Sequence, residues 1–371
     1  MAKLRAWVCL LVACAEGLGQ TPESFFRRGG ANFRDTVPEQ RLYWRAHIER
    51  SHRRILDAAD LAARKEIVTV LGSGVAAEIP LVELARRFDR LVLVDMDGPS
   101  MLESLEQVPM DLRSKVELRV MDVTSFATGL MQQLSSAVDA SSNAAEAFHR
   151  YQAVFDTLAA GKPANLPRSD LVVSSLLLSE IPRYPFGFAN RLVQERFHTP
   201  LEAWDGFDRA FAKLVSVSIE DHGRLLKSLA GPGGVVYYAD TLMRGPVYRA
   251  VTPETRATVE KAVLFDFERL GLAKSSAEVA PAIGRLCQAE HRIDTEIEAY
   301  ERLLAAWRQA APHAFEPLLP VADVVRQFDQ GGFTVEGAPQ SWWWLSYPCA
   351  IAREPGAFFV NSWILRRRAG E

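Results

Sequence analysis

The sequence predicts an α/β protein: a doubly wound, mainly parallel seven-stranded sheet with an antiparallel C-terminal strand and helical cap insertions. Three observations predict it. Short β-branched runs alternate with helix-length stretches between residues 67 and 239, the pattern of a parallel sheet covered on both faces. A glycine turn, Gly72-Ser73-Gly74, follows the first of these runs. After residue 332 come three strand-like segments with no room for helices between them.

The elements follow in order. Thr21-Pro22 reads as a helix start, with the proline at the first helical position. Residues 38–63 carry Leu42, Trp44, His47, Ile48 and Ile55 at the spacing of one helical face. Residues 67–71 read as a strand buried on both faces, 78–88 as a helix, and 91–94, 116–120, 171–174 and 234–239 as the next four strands. Residues 321–329 read as a helix stopped by Gly331-Gly332. Segments 333–340, 342–347 and 358–365 read as strands that, being so close together, must pair antiparallel. Residues 125–168, 181–215 and 243–320 fall outside the minimal sheet and are expected to build the substrate side. The expected organisation is an N-terminal helical cap over 1–60 and a sheet domain over 61–371.

Composition narrows the function. The chain has 371 residues and a net charge of -3. It lacks the basic field of a nucleic-acid binder. Its four cysteines, Cys9, Cys14, Cys287 and Cys349, form no CxxC pair, and no HExxH occurs, so no metal site is expected. Lys3 and Arg5 precede an apolar stretch, and Leu11-Val12-Ala13-Cys14 looks like a lipobox. That stretch is too short to span a bilayer. A cap helix on a cytoplasmic protein is the preferred reading, with export as the alternative. Arg366-Arg367-Arg368 is expected to solvate the C-terminus.

The chemistry-bearing residues lie at the ends of the strands. Glycines after the first strand let backbone approach a ligand, and the turn would place that ligand at a helix N-terminus. Asp95 ends the second strand, where a carboxylate can accept both hydroxyls of a ribose. Asp122-Val123 ends the third. Its carboxylate suits an exocyclic adenine amine or, equally, a helix N-cap.

The order Val70-Leu71-Gly72-Ser73-Gly74, Leu93-Val94-Asp95-Met96-Asp97, Met121-Asp122-Val123, residues 169–176, and Leu229-Ala230-Gly231-Pro232-Gly233-Gly234 resembles the class I S-adenosylmethionine-dependent methyltransferases. The likeness spans about residues 55–240 and the strand-rich tail. It implies S-adenosyl-L-methionine as cofactor. Gly72, Ser73 and Gly74 would line its methionine part, Asp95 and Met96 its ribose, Asp122 and Val123 its adenine, and Ser174 and Ser175 would lie beside the sulfonium. Where the family often carries an acid two residues before the first glycine, this chain has Val70. Glu78, expected in the first helix of the sheet domain, is the candidate substitute.

Two other classes compete. A nicotinamide-dependent oxidoreductase of the short-chain type needs Tyr-x-x-x-Lys, and none of the eight tyrosines has a lysine four residues on. A non-catalytic binding or peptide-modifying protein of the same fold stays open. On the substrate side, Glu180 and His222 are the candidate bases, with His198 a weaker one. Residues 184–207 hold six aromatics and two arginines, suiting either a pocket for a planar or anionic small molecule or a packed lid. Trp342-Trp343-Trp344 alternates faces on a strand, so its middle residue would reach a pocket or a second subunit. The expected acceptor is a small molecule, and a homodimer is compatible with the sequence.

Overall fold

The computed structural model describes residues 21–245, 252–286, 293–347 and 356–369. The lipobox-like segment and all four cysteines lie outside them. Helix α1 (Pro22–Leu61) runs for 40 residues, with the Thr21 hydroxyl accepting the Ser24 amide as N-cap at 3.2 Å. At 1.5 Å per residue this element is about 60 Å long, enough to cross the whole domain. Then come β1 (Ile67–Leu71), α2 (Leu81–Arg87), β2 (Arg90–Asp95), α3 (Gly98–Glu106), β3 (Val116–Val120), α4 (Ala127–Asp139), α5 (Ala144–Asp156), β4 (Ser169–Ser175), α6 (Arg183–Phe197), α7 (Phe207–Leu229) and β5 (Ala230–Arg244). Helices α8 (Pro253–Arg269), α9 (Ser276–Leu286) and α10 (Ile293–Ala310) follow. The chain then makes β6 (Glu316–Pro317), α11 (Val321–Gln330), β7 (Phe333–Val335), β8 (Gln340–Tyr347) and β9 (Gly356–Arg367).

The sheet order is β3-β2-β1-β4-β5-β9-β7. Strands β1 to β5 are parallel, and β9 is antiparallel to β5. The winding reverses between β1 and β4, and a doubly wound sheet binds its ligand at the carboxyl edge of that junction. Successive residues of each strand face opposite layers. Leu71, Val94, Val172 and Tyr238 pack with Leu130, Tyr151, Phe186, Leu225 and Phe328 from α4, α5, α6, α7 and α11. Val70, Leu93, Val173 and Tyr237 pack with Ile55, Leu84 and Met101 from α1, α2 and α3. A third cluster joins α8 and α10 to the far ends of β8 and β9 through Trp307, Trp343 and Ala357.

Several expectations change. The tail strands β7 and β8 do not pair with each other; both pair with β9, β7 against residues 365–367 and β8 further along. The predicted strand over 333–340 stops at Val335, because Gly337 turns at φ +69. The helix predicted from Glu78 begins only at Leu81, behind Pro80. Trp342 and Trp344 face α1, where Trp342 Nε1 donates to His47 Nδ1 at 2.9 Å; Trp343 packs into the α8–α10 cluster, not into a pocket. The C-terminal arginines are structural rather than solvating. Arg366 pairs with Glu336 at 2.7 Å, Arg367 is buried and donates to the Gly331 carbonyl, and Arg368 pairs with Asp329.

Candidate active site

The glycine loop supplies the first wall. Gly72 (φ +63), Gly74 (φ +47) and Ala76 (φ +50) are all left-handed, a backbone that glycine adopts freely and alanine does not. The Gly72 amide donates to the Val94 carbonyl at 2.9 Å. A Cβ on Gly72 would meet Leu177 Cδ1 at 2.8 Å. Helix α3 clamps the loop from outside, with Ser104 Oγ donating to the Gly74 carbonyl (2.8 Å) and Gln107 Nε2 to the Val75 carbonyl (3.1 Å). Since α2 starts nine residues after Gly72, the loop and not a helix N-terminus faces the carboxyl edge.

Asp95 joins this loop to β2. Its Oδ2 accepts the Gly74 amide at 2.8 Å and its Oδ1 accepts the Asp97 amide at 2.8 Å. Burial raises its pKa, against the pull of these amides. Each oxygen keeps a second acceptor position, so the carboxylate can hold two further hydroxyls. Met96, next in the chain, is half-buried. Asp97 caps α3 and binds Arg34 of α1 at 2.8 Å; Arg34 also donates to Ser100 Oγ at 2.7 Å. The N-terminal half of α1 is thereby tied to this edge. Phe26 stacks on Tyr184 there at 4.8 Å, and Tyr184 lies against Gly29.

Asp122 is spent on the turn that leads into α4, whose N-cap residue is Phe126. Oδ1 accepts from the amide and hydroxyl of Thr124 (2.8 Å each), and Oδ2 from the amide (2.9 Å) and hydroxyl (2.7 Å) of Thr128. Four donors use the acceptor capacity of a carboxylate, so Asp122 organises the start of α4. Val123, buried, faces the core.

Ser174 and Ser175 end β4 on opposite faces, so they do not share one subsite. Ser174 Oγ bonds His222 Nε2 at 2.9 Å beneath the sheet. His222 is sealed there, with a pKa lowered to about 4 by burial and Nδ1 unpartnered among the described residues. Ser175 lies on the α1 side, its buried hydroxyl beside that of Tyr237. The strand ends in Leu176, left-handed at φ +55. Strained non-glycine backbone of this kind clusters at working sites.

Glu180 is half-buried on the turn after β4 and pairs with Arg183. It faces Asp240, which the sequence reading did not single out. Asp240 is fully buried in β5 and accepts the Ser179 amide at 3.2 Å and the Thr241 amide at 2.8 Å. Burial first, and Glu180 in small part, push its pKa up to about 7. The available signal was a lone carboxylate ending the apolar run Val235-Val236-Tyr237-Tyr238-Ala239. Arg34 was missed because only the tertiary fold brings it near Asp97.

The aromatic segment 184–207 is mostly core. Phe186, Phe188, Trp204 and Phe207 are buried. Arg191 pairs with Glu195 and Arg196 with Asp139. His198 is the left-handed C-cap of α6. The packed-lid reading holds. Two surface cavities, about 410 and 580 Å³, lie between α7 and α11 and between α4 and α5, away from the edge.

No protein-family model matches the chain, and no curated protein matches it. Among solved structures it is similar to an O-methyltransferase family protein from Burkholderia thailandensis (14% identity, TM-score 0.38, covering 98% of this chain and 67% of that one). It is also similar to the N-methyltransferase NodS from Bradyrhizobium japonicum WM9 in complex with S-adenosyl-L-homocysteine (8%, 0.36, 88% and 87%). A third is a SAM-dependent methyltransferase from Anabaena variabilis (11%, 0.31, 82% and 77%). The fold assignment rests on strand order and register rather than on these likenesses. The fold is a Rossmann-like, doubly wound α/β fold with antiparallel strands at its C-terminal end. In that fold the β1–β4 junction, with Gly72 to Gly74 on one side and Leu176 to Glu180 on the other, is the carboxyl-edge site. Among the described residues no helix is long and apolar enough to cross a membrane.

Proposed function

We propose that the chain is a methyltransferase that uses S-adenosyl-L-methionine on a small-molecule acceptor. The observation that carries this reading is the left-handed Gly72–Gly74 loop locked to the Asp95 carboxylate at the topological switch point. The residues present fit the cofactor. Asp95 has two acceptor positions left for a ribose, and Ser73 carries a buried hydroxyl without a partner among the described residues. Asp122 belongs to the frame of the adenine side rather than to a contact.

When bound, the cofactor supplies an electrophilic methyl group, so the protein's task is alignment and exclusion of water. The Asp95-braced loop orients the nucleoside. Helix α1, held by Arg34, covers the edge and is the proposed cap together with residues 243–320. Glu180 Oε, the half-buried carboxylate after β4, is the proposed acceptor of a substrate proton. His222, buried and held neutral, is the proposed positioning residue for Ser174.

The test is calorimetry on the full chain with S-adenosylhomocysteine and NAD. Binding of the first and not the second supports the reading; the reverse result favours an oxidoreductase. Asp95→Ala should weaken S-adenosylhomocysteine at least tenfold, given hydrogen bonds of about 1.5–3 kcal/mol each to a charged group. Unchanged affinity removes the ribose assignment.

A further inference from the structure

Strand β3 ends the sheet on one side. It pairs with β2, and among the described residues no strand lies beyond it. An open edge is a template for another chain, and proteins commonly blunt it with proline or lysine. The strand, Val116-Glu117-Leu118-Arg119-Val120, contains neither. Lys115, just before it, turns back into the fold, its Nζ donating to the Ala85 and Phe88 carbonyls at 3.1 and 3.0 Å.

The backbone shows which groups the edge offers. The Met121 amide donates to the Asp95 carbonyl of β2 at 2.9 Å. Amides and carbonyls alternate sides along a strand, so Glu117 and Arg119 turn theirs to β2, and Val116, Leu118 and Val120 turn theirs outward. The Val116 amide already donates to the Arg113 carbonyl. The Val116 carbonyl and the amides and carbonyls of Leu118 and Val120 are left for a neighbouring strand.

The side chains show which neighbour. Val116, Leu118 and Val120 share one face, where the first two pack with the layer of α1, α2 and α3. Val120 remains 60% exposed. Helix α3 stands over it, since a Cβ on Gly98 would lie 3.1 Å from Val120 Cγ2. Leu102, one turn along the same helical face, is 59% exposed. On the other face Glu117 and Arg119 pair at 2.6 Å, with Arg90 of β2 at 3.8 Å from Glu117.

This edge is its own complement. When a second copy is laid antiparallel with Leu118 opposite Leu118, the two Leu118 residues exchange amide and carbonyl. Each Val120 amide meets a Val116 carbonyl, and Val120 packs beside Val116. Glu117 falls opposite Arg119 in both directions, at the closely spaced kind of pair where side chains lie nearest. The four charges then alternate around a ring. Parallel pairing in register would instead set Glu117 beside Glu117, and it could not close as a two-fold dimer.

We propose that β3 is the docking edge for a second copy of this chain, through a two-fold antiparallel β3–β3 pair centred on Leu118. The two sheets become one, with their carboxyl edges pointing in opposite directions. The inference stands apart from the methyl-transfer reading.

Sedimentation velocity on the full chain tests it, up to about 100 μM, where a micromolar interface is saturated. The wild type is expected at twice 41.3 kDa. Glu117→Arg and Arg119→Glu each set like charges opposite one another at two positions, and each should weaken the dimer about tenfold or more. Mixing the two variants restores opposite charges at both positions, so a dimer should return in the mixture. Leu102→Lys, at an exposed helical position, should also weaken the dimer, and it keeps the test decisive if a charge reversal unfolds the chain. A monomeric wild type at the highest concentration overturns the proposal. So do variants that remain as dimeric as the wild type, which would place the interface elsewhere, and a mixture that stays monomeric, which would refute the Leu118-centred register.

Discussion

Replacing Asp240 by Asn should change how stability depends on pH, in a direction the structure fixes. Asp240 is fully buried and holds its proton up to about pH 7, against an ordinary 3.8. Below 3.8 the folded and unfolded chains both keep that proton. Between 3.8 and 7 only the folded chain does, so stability falls as pH rises through this window. One proton across roughly three pH units, at about 1.4 kcal/mol each, removes about 4 kcal/mol of stability by pH 7. Asparagine does not titrate. The stability of Asp240→Asn relative to wild type should therefore rise by about 3 kcal/mol between pH 5 and pH 8. Any fixed penalty from the amide facing Ser179 and Thr241 donors cancels in that comparison. Urea unfolding of both proteins at pH 5, 6, 7 and 8 gives the difference curve. A flat curve would show that Asp240 ionises normally, and the account of its burial would be wrong.

Three further outcomes follow from single contacts. His222 is held neutral with a pKa of about 4, so the unfolded chain takes up a proton below 6.5 that the folded chain refuses. His222→Gln should lessen the loss of stability between pH 6.5 and 4 by about 3 kcal/mol, read by urea unfolding at the two pH values. Gly72→Ala places a Cβ 2.8 Å from Leu177 Cδ1 at φ +63; a destabilisation of about 1–3 kcal/mol is expected, and thermal melting checks it. Arg34→Ala breaks the ion pair that ties α1 to buried Asp97. It should expose α1 to limited proteolysis near residue 34 while the sheet stays intact, and unchanged cleavage would argue that α1 is held by its other contacts alone.

The sheet was legible because its central strands β1, β2 and β4 are short, apolar and buried on both faces, a pattern with few alternatives. Strands β1 and β3 begin and end at the residues expected, 67–71 and 116–120. The glycine loop and Asp95 were legible because each needs a particular residue type at a particular strand end. Elsewhere local signals misled. Glu78 has good helix propensity, yet Pro80 and the left-handed Ala76 keep it in a loop. Nothing in an alanine or a leucine announces the positive φ of Ala76 or Leu176. Ser174 and Ser175 look alike in sequence, but the period of two sends one to His222 and the other towards Tyr237.

The substrate side was least legible for a physical reason. Arginines in an aromatic segment look the same whether they wait for an anion or pair with a neighbouring carboxylate, and here Arg191 and Arg196 have Glu195 and Asp139. What distinguishes a waiting group is an unsatisfied atom in a dry place, a property of three dimensions.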